Sequence, residues 1–161
     1  AAAVGFQEGL RPEQILEGLA SVRLTGGRLE EKQVGEFTIL DDSYNANPDS
    51  MKAALVTLQE AEVSGRRVAV LGYMGELGHI EEEAHLSLGE QAVTLGVDLL
   101  VTVGEKAARI NTKAEALSVN LNFSSHEEAA AYLRDALTSE DLVLVKGSRG
   151  ATMEKVIEGL A

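Results

Sequence analysis

Short runs of valine and leucine, each ending in a glycine and followed by a helical segment, constrain the fold of this chain most. Residues 66–72, 98–104 and 141–147 read RRVAVLG, DLLVTVG and DLVLVKG. These runs lack the alternation of a strand with one face in water, so we predict strands that are covered on both faces. Strands that alternate with helices form parallel sheets through right-handed crossovers. The predicted fold is therefore α/β, a Rossmann-like, open, mostly parallel sheet with helices on both faces.

The spacing of the other apolar residues predicts the remaining elements. After a polar corner, an i, i+3, i+4, i+7 stripe indicates a helix that runs to about residue 63. The members of this stripe are Met51, Ala54, Leu55 and Leu58. The other predicted bounds are 29–34 and 37–40 for two strands, and 80–95, 106–117, 127–137 and 152 onwards for helices.

A glycine pair separates the first predicted helix from the rest of the chain. Ile15, Leu16 and Leu19 lie at helical spacing, and the sequence TGG at residues 25–27 interrupts the pattern. The chain opens with alanine inside this predicted helix, which suggests a piece of a longer protein. We therefore assign residues 1–24 to the tail or linker helix of a preceding domain and residues 25–161 to a separate domain.

Charge and composition exclude several classes of function. Acidic residues outnumber basic ones by 26 to 14, and the formal net charge of −12 disfavours nucleic acids and anionic membranes as partners. The chain has no cysteine, which excludes disulfides and thiol catalysis. No apolar run approaches the roughly 20 residues of a membrane helix. A soluble cytoplasmic protein without membrane insertion is predicted.

Polar side chains concentrate where the predicted strands end. Ligands of open parallel sheets bind beyond the carboxyl ends of the strands. Four corners lie there, of which DDSYNANPDS at residues 41–50 and KGSRGATM at residues 146–153 are the richest in polar groups. The corner GYMGELG at residues 72–78 matches neither a dinucleotide fingerprint nor a P-loop. The residue types and their spacing therefore indicate a polar ligand-binding edge of a parallel α/β sheet.

The first rich corner contains more polar groups than a turn needs. Asn47 can cap a helix that Pro48 begins, which leaves Asp42, Tyr44 and Asn45 without a structural role. An acid at a strand end can accept the hydroxyls of a ribose, and Tyr and Asn can stack on or hydrogen-bond to a base. Turn geometry also favours Asn and Asp, so a purely structural loop remains the alternative.

The last corner combines two cations with a hydroxyl. Lys146, Ser148 and Arg149 precede a predicted helix, where basic side chains and free N–H groups would bind an anion. The alternative is a solvated loop. The three histidines form no metal-binding motif, and we predict no metal site in this chain.

The corners taken together resemble the C-terminal domain of the Mur ligase family. The segments that carry the resemblance are GRLE (27–30), DDSYNANPDSM (41–51), GYMGELG (72–78) and VKGSRGATMEKV (145–156). They match in order and spacing, over residues 25–161. One departure is Tyr73, where many relatives have an acid.

The resemblance implies an ATP-dependent peptide-bond ligase of peptidoglycan synthesis, of the branch that adds D-alanyl-D-alanine to a UDP-MurNAc-tripeptide. ATP would phosphorylate the tripeptide carboxylate, and the dipeptide amine would attack the acyl phosphate. In this family the P-loop and Mg²⁺ ligands lie in a central ATPase domain, preceded by an N-terminal UDP-sugar domain. The present chain alone is therefore expected to be inactive.

The resemblance also implies roles for individual residues. Arg28 would contact the ATP phosphates and Asp42 the ribose. Lys146 and Arg149 would be catalytic groups that face the dipeptide or the acyl phosphate, and Ser148 would bind substrate. The residues that would shape the pocket for nucleotide and amine are Tyr44, Asn45 and Asn47.

Two alternatives to this interpretation as a D-alanyl-D-alanine ligase domain are open. A sister ligase of the folylpolyglutamate synthase type would share Arg28 and Asp42, but should lack DSYNANP combined with KGSR. A nucleotide- or anion-binding module without catalysis would use the same polar edge. An upstream P-loop would exclude the second alternative.

Overall fold

A computed structural model describes residues 2–21 and 26–161. Its centre is a six-stranded sheet with the strand order β1-β2-β6-β3-β4-β5. The strands are β1 (Glu30–Val34), β2 (Phe37–Asp42), β3 (Arg67–Leu71), β4 (Leu99–Val103), β5 (Val119–Phe123) and β6 (Leu142–Lys146). β1 runs antiparallel to β2, and the neighbouring strands from β2 to β5 are paired parallel.

Helices cover both faces of this sheet, which confirms the predicted fold class. The helices are α1 (Ala2–Gln7), α2 (Pro12–Ala20), α3 (Pro48–Glu60), α4 (Glu81–Thr94), α5 (Ala108–Thr112), α6 (His126–Ala136) and α7 (Glu154–Leu160). One core lies between the sheet and α3, α4 and α5, and the other lies between the sheet and α6 and α7. Across the described ranges, no helix has the length and apolar character needed to cross a membrane.

The runs of valine and leucine form the middle of the sheet, as predicted. All five residues of β4 and of β6 are buried, because helices lie above and below them. Successive residues point into opposite cores, so that Val143 joins one cluster and Leu144 the other. The apolar stripe of α3 is at most 2% exposed. Hydrophobic burial on two faces therefore fixes the sheet and, with it, the position of the strand ends.

Three helices differ from the predicted bounds, and the first of them, α3, ends at Glu60 and not at about residue 63. The helix expected at 106–117 is reduced to α5, because the Asn120 side chain donates to the Asn111 carbonyl (3.0 Å) and the chain turns towards β5. The helix expected from residue 152 begins at Glu154, because Thr152 adopts a left-handed conformation (φ 47°) that a helix cannot accommodate.

The N-terminal helices bury little of their apolar surface. Ile15 is buried against Gly5, whereas Leu16 and Leu19 are 67% and 44% exposed, so only one member of the predicted stripe packs inwards. The predicted domain boundary between residues 24 and 25 lies outside the described residues.

Candidate functional site

Two cavities lie side by side at the carboxyl ends of β2, β3 and β6. The larger cavity has a volume of about 730 Å³ and the smaller cavity about 320 Å³. Residues 44–47 line both and form the wall between them. The register of the sheet places Asp42 next to Lys146, and Lys146 next to Leu71. The first and last polar corners, about a hundred residues apart in sequence, are thus brought together.

A buried ion pair forms the floor of the smaller cavity. Lys146 Nζ donates to Asp42 Oδ2 (2.5 Å) and to the Asn45 carbonyl (2.9 Å), and its side chain is 2% exposed. The other oxygen of Asp42 accepts the Leu29 backbone N–H (3.0 Å), which holds Leu29 at a left-handed φ of 50°. Asp42 remains 16% exposed at its side chain, so a carboxylate edge still faces the cavity.

The KGSR segment is divided between the two cavities. Lys146 lines the smaller cavity, whereas Ser148 and Arg149 line the larger one. The sequence groups all three in one corner, and in the structure Lys146 is the last residue of β6, as the predicted strand at residues 141–147 implies, whereas Ser148 and Arg149 follow the strand. The Lys146 ammonium group is therefore directed at Asp42 and Asn45, and away from Arg149.

An aromatic ring and a guanidinium group form the rim of the smaller cavity. The Arg28 guanidinium carbon lies 4.5 Å from the centroid of the Tyr44 ring, a cation–π geometry, and Tyr44 is 40% exposed. Both side chains are available to a ligand. Arg28 supplies a planar donor that suits phosphate oxygens.

The side-chain oxygens of the other two predicted residues of this corner have local partners. Asn45 Oδ1 accepts the Ala46 N–H (2.8 Å). Asn47 Oδ1 accepts the Ser50 N–H (2.8 Å), and Ser50 Oγ accepts the Asn47 N–H (3.0 Å), which completes a reciprocal cap on α3. The structural role predicted for Asn47 is confirmed, and its capping bond fixes one end of the shared wall.

Asp41 stabilises the same corner from behind. It is buried and accepts hydrogen bonds from Lys32 Nζ (2.7 Å) and Ser43 Oγ (2.6 Å). Burial alone would raise the pKa of Asp41, but the bonds from Lys32 and Ser43 outweigh it and lower the pKa. The two adjacent acids therefore differ: Asp41 holds the loop, and Asp42 faces the smaller cavity.

The larger cavity contains a buried hydroxyl group and two cations. Ser148 is 5% exposed, and its Oγ has no hydrogen-bond partner. Arg149, which lines the cavity, pairs with Glu154 (2.9 Å), and Lys106, which also lines it, pairs with Glu81 (3.3 Å). Arg149–Ala151 form a 3₁₀ turn before α7 begins, so the helix N-terminus expected directly after Arg149 is not there. The anion-binding groups that remain are side chains.

Sequence reasoning assigned no role in the site to two side chains of the larger cavity. Tyr73 and Lys106 line it, and Lys106 Nζ lies 5.5 Å from the centroid of the Tyr73 ring. A Cβ atom at Gly150 would overlap the Tyr73 hydroxyl, which shows how closely the ring approaches that backbone. The signal for Lys106 was its place in the corner VGEKA, directly after β4.

Metal ligands are not grouped in this site. Within residues 2–21 and 26–161, no cluster of three or more His, Asp or Glu side chains could hold a metal ion. The donors that line the cavities suit an organic anion and a hydroxyl-bearing ligand.

A mostly parallel sheet with two cavities at the carboxyl ends of its strands is the architecture in which open α/β domains bind ligands. The model of the glutamate ligase domain of Mur ligases matches residues 27–149. The chain belongs to the Mur ligase family, and residues 27–149 form its glutamate ligase domain.

Individual relatives agree with this assignment. The UDP-N-acetylmuramoyl-tripeptide–D-alanyl-D-alanine ligase of Escherichia coli K12 is 39% identical over 99% of this chain, which spans 35% of that relative. The solved MurF ligase of Thermotoga maritima in complex with ADP matches with a TM-score of 0.81 and 28% identity, over 98% of this chain and 35% of that one. A solved bifunctional folylpolyglutamate synthase shares the fold, with a TM-score of 0.63 and 23% identity over 94% of this chain and 35% of that one.

Proposed function

We propose that this chain is the C-terminal domain of an ATP-dependent ligase that joins D-alanyl-D-alanine to a UDP-MurNAc-tripeptide. The observation that carries the proposal is the shared wall, residues 44–47, between a cavity with predicted nucleotide residues and a cavity with predicted substrate residues. A ligase must hold a phosphoryl donor and an amine acceptor side by side, and this arrangement meets that requirement. The match to the D-alanyl-D-alanine branch of the family is stronger than the match to the folate ligases.

The smaller cavity is proposed to hold part of ATP. The partly exposed carboxylate of Asp42 suits the ribose hydroxyls, and the exposed guanidinium of Arg28 suits the phosphates. Tyr44 offers an aromatic face, while Asn45 and Asn47 shape the wall. Because no metal cluster exists among the described residues, Mg²⁺ would be held mainly by a central ATPase domain.

The larger cavity is proposed to hold the dipeptide and the acyl phosphate. ATP transfers its γ-phosphoryl group to the tripeptide carboxylate, and the dipeptide nitrogen then forms a bond to the carbonyl carbon. The amine proton is lost, and the C–O bond to phosphate breaks with its electron pair leaving on phosphate. Arg149 would stabilise the anionic oxygens, and the unpartnered hydroxyl of Ser148 would bind the substrate.

Lys146 is proposed to act from the nucleotide side. Its ammonium group contacts Asp42 and Asn45, so it orients the group that would bind ribose. This role replaces a direct contact with the dipeptide, because the side chain is buried beside the smaller cavity. Lys146 is then a positioning residue, and Arg149 is the cation that would touch the reacting atoms.

The rest of the ligase is proposed to precede this domain. Residues 1–24 would be the tail of a central ATPase domain, itself preceded by a UDP-sugar domain, in a cytoplasmic protein. Five large apolar side chains of α1, α2 and the segment between them are exposed and would be covered by that neighbour: Val4, Phe6, Leu10, Leu16 and Leu19. The 35% of the relative that this chain spans leaves room for both domains.

The proposal is tested in the full-length protein with ATP, UDP-MurNAc-tripeptide and D-alanyl-D-alanine, by following phosphate release. Arg149→Ala should lower kcat/KM for the dipeptide about ten- to a hundredfold. Arg149→Lys should do nearly as much harm, because the planar fork is lost although the charge stays. Lys155→Ala, which removes an exposed cation of α7, is the matched control and should be silent.

Two results would contradict the proposal. Phosphate release that does not depend on D-alanyl-D-alanine would exclude this acceptor. Wild-type kinetics in Arg149→Ala would show that the loop is a solvated surface loop without a part in the reaction.

A further inference from the structure

A buried histidine outside both cavities supports the loop that lines the larger one. His85 lies on α4 with no exposed surface. Its Nε2 accepts the backbone N–H of Met74 (2.9 Å), and its Nδ1 lies 2.6 Å from the Glu81 carbonyl. The ring therefore connects α4 to the loop at residues 72–78, which the proposed function does not explain.

The hydrogen bonds determine the tautomer of this ring. A backbone N–H can only donate, so Nε2 of His85 must carry the lone pair that accepts from Met74. The proton then lies on Nδ1 and is donated to the Glu81 carbonyl, which can only accept. The imidazole is neutral, and both of its nitrogens are used for structure.

The connection continues from the loop to the substrate side of the site. Met74 is fully buried, and the adjacent carbonyl of Tyr73 accepts the backbone N–H of Ser148 (2.9 Å). A hydrogen-bonded path thus runs from α4 through His85, Met74 and Tyr73 to Ser148. The hydroxyl of Ser148 has no hydrogen-bond partner in the larger cavity.

The loop needs such an external support. It contains glycines at 72, 75 and 78, which impose little conformational preference, and Glu76 adopts a left-handed φ of 61°. Without an acceptor at His85, the buried N–H of Met74 would lose its partner, and the loop would move to recover one.

We propose that His85 is a positioning residue for the larger cavity, acting through Met74 and Tyr73 on Ser148. It determines the position of the Tyr73 carbonyl and so the position of the Ser148 backbone and hydroxyl. This inference rests on the proposed function, because it assumes that the larger cavity binds the dipeptide.

Two amide substitutions separate the roles of the two ring nitrogens. The Gln amide extends to about the place of Nε2, so His85→Gln can still accept from Met74. The Asn amide extends only to about the place of Nδ1, so His85→Asn loses that bond. In the full-length protein, His85→Asn should raise KM for D-alanyl-D-alanine or lower kcat, with kcat/KM reduced about ten- to a hundredfold. His85→Gln should restore most of this loss, and KM for ATP should stay unchanged in both variants.

A second measurement does not depend on catalysis. Backbone amide hydrogen exchange at Met74 and Ser148 in the same protein should accelerate in His85→Asn and stay near wild type in His85→Gln. Leu88→Ala, one turn further along α4, is the control, because it removes a buried side chain (2% exposed) that makes none of these hydrogen bonds. It should lower stability and leave KM for the dipeptide unchanged.

Equal losses in the Gln and Asn variants, or the same dipeptide KM change in Leu88→Ala, would overturn the inference. If the wild-type protein does not use the dipeptide at all, the proposed function fails. The exchange pattern at Met74 and Ser148 still decides whether His85 supports the loop.

Discussion

The two cavities share a wall but are built on different principles. On the floor of the smaller cavity the charged groups are already paired, with the Lys146 ammonium bound to Asp42 and to the Asn45 carbonyl. In the larger cavity a buried hydroxyl has no partner, and its cations form only exposed pairs. The Lys146–Asp42 pair of the smaller cavity is therefore part of the fold, whereas Arg28 and Tyr44 at its rim and the polar groups of the larger cavity are available to a ligand.

Lys146 and Arg149 show this difference within three residues of sequence. The side chain of Lys146 is 2% exposed and that of Arg149 is 68% exposed. The cause is the backbone: one residue ends a central strand, and the other begins a 3₁₀ turn at the surface. The two residues carry the same charge, but Lys146 contributes to the stability of the fold, whereas Arg149 is available to bind a ligand.

The largest difference between the two cavities is expected in the free energy of unfolding of variants at Lys146 and Arg149. Lys146→Met should lower the free energy of unfolding by about 3 kcal/mol, because it leaves the buried edge of Asp42 without its counter-charge. Adding Asp42→Asn should recover part of this loss, since no unpaired charge then remains. Arg149→Ala, the matched control, should cost less than about 0.5 kcal/mol. Urea denaturation measures all three, and equal losses for Lys146 and Arg149 would contradict the comparison.

A slightly smaller effect on the free energy of unfolding is expected at the amino ends of the strands, at the opposite end of the sheet from both cavities. Asp141 accepts hydrogen bonds from the Arg66 backbone (2.8 Å) and guanidinium (2.6 Å) and from the Thr138 N–H (2.9 Å). Burial raises the pKa of Asp141, but these bonds outweigh it and lower the pKa from 3.8 to about 2. That difference corresponds to about 2 kcal/mol of stabilisation, which is present above pH 3.8 and lost as the pH falls through about 2.

Asp141→Asn should remove this stabilisation and leave both cavities unchanged. Its unfolding free energy at neutral pH should fall by about 2 kcal/mol, and its decline between pH 4 and pH 2 should be shallower than in wild type. Denaturation at a series of pH values tests the first part, and an unchanged KM for ATP and for dipeptide tests the second. A changed KM would mean that stability and site geometry are coupled across the sheet.

The smallest expected effect is a loss of kcat/KM that is caused by a change within the larger cavity. Gly150→Ala should push the Tyr73 hydroxyl into the cavity and lower kcat/KM for the dipeptide about tenfold, a change of about 1.4 kcal/mol. Tyr73→Phe in the same protein should restore activity, because it removes the atom that overlaps. Gly18→Ala, where the new Cβ meets nothing within 4 Å, is the control. A double variant as impaired as the single one would show that the backbone at 150, and not the ring, matters.

The sheet was predictable because its signal is local and redundant. The valine and leucine runs and the α3 stripe each specify burial by their own pattern, and all were confirmed. The bounds of α5 were not predictable, because they depend on side-chain bonds between Asn111 and Asn120. Such contacts leave no periodic trace in the sequence.

The site was predictable as a set of corners but not as two cavities. Asp42 and Ser148 were singled out by residue type and position. The assignment of Lys146 to the smaller cavity depends on the parallel register of β2 and β6, which sequence spacing does not reveal. The part played by His85 was equally hidden, because a buried histidine with two satisfied nitrogens looks like any other histidine in a helix.

The wall shared by the two cavities has a thermodynamic consequence. Lys146 donates a hydrogen bond to the carbonyl of Asn45, and Asn47 is held by its capping bond on α3. Because both ends of the wall are held in this way, we expect residues 45–47 to move together. A ligand that displaces this wall from one side changes the affinity of the other cavity, and linkage makes that factor identical in both directions. Binding in one cavity would then be coupled to binding in the other through residues 44–47, which line both.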